Sequence, residues 1–68
     1  MINKGKLKGI MAEAGITQAD LAKRINMSPN TLSNKLNGKR DFMVDEVSRI
    51  CEALNISDNT TKIQIFLL

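Results

Sequence analysis

Residues 17–40 read TQADLAKRINMSPNTLSNKLNGKR. Two helix starts and one abrupt stop are written into this stretch. Thr17 opens the first helix, because Thr-Gln-Ala-Asp is a capping-box variant in which Asp20, three residues on, can return the bond. Leu21, Ala22 and Ile25 form the buried stripe of that helix. After Asn26 and Met27, Ser28 caps a second helix, and Pro29 takes its first turn, where a missing N–H costs nothing. Leu32 and Leu36 share one face of this helix, and Gly38 ends it.

Only two or three residues join the pair, so the helices are forced to cross steeply, as in a helix-turn-helix unit. With Leu32 and Leu36 turned inward, about 100° per residue points Asn30 and Asn34 away from the core. Thr31 and Asn37 stand beside them, and Ser33 and Lys35 fall on the flanks. A helix that merely met water would be filled with Glu, Lys, Gln and Ala, which are better helix formers. These short, stiff, hydrogen-bonding side chains suit a surface that reads base edges, since Asn can pair bidentately with adenine in a major groove about 12 Å wide.

On the N-terminal side, Leu7, Ile10, Met11 and Ala14 follow i, i+3, i+4, i+7, and Gly15 supplies a left-handed end. Gly5 and Gly9 weaken this helix, and lysines near its start oppose the macrodipole, so it needs tertiary packing. On the C-terminal side, residues 39–43 read as a loop. A further helix follows, with Val44, Val47, Ile50, Cys51 and Leu54 inward and Asp45 and Glu46 in its favourable first turn. Met43 is a poor residue for its cap. Residues 57–61 read as a polar turn with capping residues, and residues 62–68 as a short last helix presenting Ile63, Phe66 and Leu67. The pattern is all-α: a compact bundle of four to five short helices, and a single domain spanning residues 1–68.

Composition narrows the function. Phe42 and Phe66 are the only aromatic residues of the 68, so the core is aliphatic, which favours packed helices over a small barrel. Cys51 is the single cysteine and there is no histidine, which excludes an internal disulfide, a zinc-binding thiolate cluster and the usual proton shuttle. No cofactor is expected. No nucleophile–base pair is evident, so a catalytic role is not expected either. The first ten residues lack the apolar run of a signal peptide and no stretch approaches membrane-spanning length, from which a cytoplasmic protein without a membrane partner is expected. Residues 1–40 carry eight Lys/Arg against Glu13 and Asp20, a balance of +6. Residues 41–68 carry Arg49 and Lys62 against five acids, a balance of −3. Such polarity suits a polyanion on one side and solvent or a partner on the other.

The chain resembles the Cro/C1-type helix-turn-helix family of phage repressors and bacterial regulators. The resemblance rests on residues 7–16, TQADLA, SPNTLSNKLNGKR, DEVSRICEALNIS and much of the IFLL tail. It implies a lambda-repressor-like DNA-binding fold whose third helix, residues 28–37, enters the major groove of double-stranded DNA. It further implies base contacts from Pro29, Asn30, Ser33 and Asn34. Contacts to the DNA backbone are implied for Gln18, Ser28, Thr31, Lys35, Asn37, Lys39 and Arg40. Two departures stand out. Many relatives place an Arg–Glu ion pair where Met11 and Leu36 are found here, and an apolar residue where Lys35 is found. Together they imply a third helix rotated from the common register.

The expected function is that of a sequence-specific DNA-binding transcriptional regulator of the phage Cro/repressor type. Ile63, Phe66, Leu67 and Leu68 either fold back on the bundle or form part of a homodimer interface. A protein-interaction module, antitoxin-like or anti-repressor, is the alternative, using the acidic fourth helix and the apolar tail. No small-molecule substrate is suggested.

Overall fold

The computed structural model describes residues 2–67; Leu68, included above in the apolar tail, lies outside the described residues. Among them are five helices: α1 (Lys4–Ala14), α2 (Gln18–Arg24), α3 (Pro29–Leu36), α4 (Val44–Ala53) and α5 (Asn59–Phe66). Each start has a local cause. The Asn3 side chain accepts from Lys6 N–H, Thr17 and Asp20 complete the capping box, and Ser28 and Asp58 accept from Thr31 N–H and Thr61 N–H.

The first four helices end alike. Gly15, Asn26, Gly38 and Asn55 all take positive φ, between +55° and +79°. In each case the N–H of the following residue bonds back to a carbonyl in the last turn: Ile16 to Met11, Met27 to Ala22, Lys39 to Asn34 and Ile56 to Cys51. This is the Schellman arrangement, and it turns the chain sharply while satisfying the orphan carbonyls. Glycine suits the left-handed position at Gly15 and Gly38; asparagine is the usual non-glycine substitute at the other two.

The core is aliphatic, as the composition requires. Leu7, Leu21, Ile25, Leu32, Ile50 and Ile65 have their side chains fully enclosed, and Met11, Ala22, Leu36, Cys51, Leu54, Ile56 and Phe66 complete the cluster. Burial pushes the Cys51 thiol up from its ordinary pKa, in keeping with a packing role. The chain start is pinned by Asn3 N–H donating to Ile65 O at 2.6 Å, which sets α1 against α5. Phe42 meets Phe66 edge to face, centroids 6.0 Å apart, so the loop before α4 closes over the end of α5.

Three expectations are corrected. Val44 is not inward but 85% exposed, and Glu46 takes the inner position. The reason is angular: Glu46 lies four residues before Ile50 and so beneath it, whereas Val44, six before, is about 120° away. In the last helix, Ile65 is enclosed with Phe66, while Ile63 and Leu67 remain about half exposed. Ala14, at the end of α1, is exposed as well, because the chain turns away at Gly15.

Candidate nucleic-acid interface

Helix α3 is held by its inner face. Leu32 and Leu36 are buried, and with them Lys35, which is only 5% exposed. Its Nζ lies 2.5 Å from Glu46 Oε1 on α4. The expectation that Lys35 stands on the flank and contacts the DNA backbone is therefore corrected. Three residues beyond Leu32 and next to Leu36, it belongs to the same inner stripe, and its four-carbon stem carries the charge across to Glu46. No rotation of α3 is needed to explain a lysine at this position: Leu32, Lys35 and Leu36 form an ordinary inward face, and the ammonium has its own partner.

Glu46 does two jobs. The same Oε1 accepts from Met43 N–H at 2.8 Å, so the carboxylate closes the start of α4, for which the Met43 side chain has no oxygen to offer. The Lys35 ammonium first, and the Met43 N–H second, hold the Glu46 carboxyl below the usual carboxylate range. Neither residue was singled out for this pairing from sequence; the available signal was a basic residue on the inner stripe of one helix and an acidic one on that of another. Arg49 was missed too. Its Nη1 donates to Ile25 O at 2.7 Å and its Nη2 to Asp45 Oδ2 at 3.0 Å, so α4 grips the carbonyl end of α2 at the turn between α2 and α3.

The outer face of α3 carries the short polar side chains. Asn30 is exposed and Asn34 partly so, and neither side-chain amide has a hydrogen-bond partner among the described residues. Pro29 is exposed beside Asn30, and Ser33 and Thr31 lie half-buried on either side. Ser28 and Thr31 serve the helix start: Ser28 Oγ accepts from Thr31 N–H at 3.1 Å and donates to Thr31 Oγ1 at 2.8 Å. Asn37 closes the stripe one turn beyond Ser33, and its Oδ1 accepts from Lys4 Nζ on α1. Lys39 and Arg40 follow the Gly38 turn, fully on the surface. Gln18 is half-exposed at the first position of α2, beside the Thr17–Asp20 cap.

The arrangement is a helix clamped from behind by aliphatic packing and a buried ion pair, with amides and hydroxyls in front and exposed cations beyond its C-terminal end. No curated protein and no solved structure matches the chain. A family model does match, over residues 6–57, from the first turn of α1 to the turn after α4, leaving α5 beyond it. On that match, which covers most of the chain, together with the all-helical fold just described, the protein belongs to the Cro/C1-type helix-turn-helix DNA-binding domain family.

Proposed function

We propose that this protein is a sequence-specific regulator of transcription of the phage Cro/repressor type, which inserts the outer face of α3 into the major groove of double-stranded DNA. The single observation that carries the reading is the contrast between the two faces of α3: one locked into the core, the other presenting Asn30 and Asn34 with their amides unengaged. In this reading Pro29, Asn30, Ser33 and Asn34 face base edges. Gln18, Ser28, Thr31, Asn37, Lys39 and Arg40 approach the sugar-phosphate backbone, where cations and amide donors supply affinity but little sequence information. The protein performs no chemical step and works in the cytoplasm, where phage and bacterial DNA lies.

Selection of bound sites from a random duplex pool tests the proposal, since it reports binding, motif and half-site spacing together. A defined motif is expected. If about six phosphates are neutralised, affinity falls roughly a thousandfold between 50 and 200 mM salt. Failure to shift any duplex at low salt would sink this reading and favour a protein partner instead.

The reading extends to a homodimer on DNA. Ile63 on α5 and Leu67 just after it stand half exposed, which gives a second copy apolar surface to cover. The longest dimension of the chain, 28 Å, allows two copies side by side on half-sites about 34 Å apart. Sedimentation showing only monomer at high concentration, with and without the selected duplex, removes this extension.

A further inference from the structure

One bond between helices settles which atoms of the α3 surface can act as donors. Lys4 Nζ, in the first turn of α1, donates to Asn37 Oδ1 at 2.5 Å. An ammonium has donors only, so the Asn37 amide must turn its oxygen toward Lys4 and its nitrogen away. That nitrogen donates to Ser33 Oγ, one turn back on the same stripe, at 3.4 Å. Ser33 Oγ thus receives a hydrogen bond on one lone pair, while its own O–H meets no acceptor among the described residues. A hydroxyl that accepts one bond is polarised toward giving another.

We propose that Lys4 and Asn37 are positioning residues that set Ser33 as a hydrogen-bond donor. Ser33 then selects a base presenting an acceptor in the major groove (a purine N7, guanine O6 or thymine O4) over cytosine, whose edge there presents an amine. The inference rests on the reading of α3 as the DNA-facing helix, and adds to it a chemical preference at one base pair and a role for a residue of α1.

Two measurements test it. In the protein without DNA, the Asn37 side-chain amide signals shift in Lys4→Met, whereas Lys8→Met, an equal loss of charge from an exposed position of the same helix, leaves them in place. Lys4→Arg, which keeps a donor, stays near the parent. Asn37 signals unmoved by Lys4→Met overturn the relay, whatever the protein does with DNA. On duplexes carrying each base in turn at every position of the selected site, Lys4→Met and Asn37→Ala flatten the preference at one position by about fivefold, the worth of one neutral hydrogen bond. That position is the one Ser33→Ala flattens. Matching base profiles for Lys4→Met and Lys8→Met, with the parent still selective, overturn the inference and leave the DNA reading standing. A parent with no base preference at all overturns both.

Discussion

The helix pair α2–α3 and the helix behind it, α4, are secured by opposite means. In the pair, each start and stop is made by neighbours in sequence: Thr17 with Asp20, Ser28 with Thr31, Asn26 and Gly38 at the ends. Helix α4 follows Met43, whose side chain offers no oxygen, so its cap comes from Glu46, and Glu46 is itself paired to Lys35 on α3. Farther along, Arg49 reaches Ile25 O at the end of α2. The pair is specified locally; its seat on α4 is specified by two charged reaches across the interior. Conformation of α3 and its orientation thus depend on different residues, and each can be broken alone.

The largest effect is expected where the two schemes meet. Glu46→Ala leaves the Lys35 ammonium buried without a partner, which costs about 3–5 kcal/mol. A domain of this size has little more than that to lose, so denaturant unfolding should show most of its stability gone. Replacing both partners, Lys35→Met with Glu46→Leu, should recover most of the loss, short of the parent by the roughly 1 kcal/mol that the cap on Met43 N–H contributes. A Glu46→Ala protein within about 1 kcal/mol of the parent would show that α4 does not depend on this clamp. The pair also fixes a pH response. Because folding lowers the Glu46 pKa from its ordinary 4.5, the contribution is fully present above that value and is lost as pH falls through the lowered one. Acid unfolding of the double variant should lack this component.

Next comes Arg49→Ala. A hydrogen bond from a charged donor is worth about 1.5–3 kcal/mol, and partial exposure of the guanidinium discounts this to about 1–2 kcal/mol. Asp45→Ala removes only the exposed i, i+4 partner and should cost under about 0.5 kcal/mol. Equal losses from the two would place the value of Arg49 in the surface pair and not in its hold on Ile25 O. On the local side, Thr17→Ala removes one half of a capping box and should cost about 1 kcal/mol. That loss should be independent of Arg49→Ala in a double-mutant cycle, since the two variants share no partner.

The same division explains what could be read from the sequence. Capping residues, the Pro29 start, the glycine ends and the inward faces of α2 and α3 are local signals, and those segments fold as the pattern implies. Lys35 could not be read that way. Its charge argued for the surface and its place in the period for the interior, and the outcome turned on Glu46, eleven residues on and in another helix. The left-handed end at Asn26 was legible only as a short connection and that at Asn55 not at all, because asparagine signals a cap far less firmly than glycine. For the outer face of α3, composition pointed to amides with a purpose beyond helix formation, while the link from Lys4 to Asn37 joins residues 33 apart and has no trace in local pattern.

The smallest predicted effect is at Val44, where periodicity and structure part. A valine three residues before Val47 counts toward the apolar stripe of α4, yet the structure leaves it 85% exposed at the first helical position. Val44→Thr should therefore change the unfolding free energy by less than about 0.5 kcal/mol. Thermal unfolding at two protein concentrations decides what a larger loss would mean. If it were the same at both, Val44 would be packed within one chain and the inward register of Glu46 would be wrong. If it grew with concentration, a second copy would be covering Val44, because association stabilises the folded state by mass action.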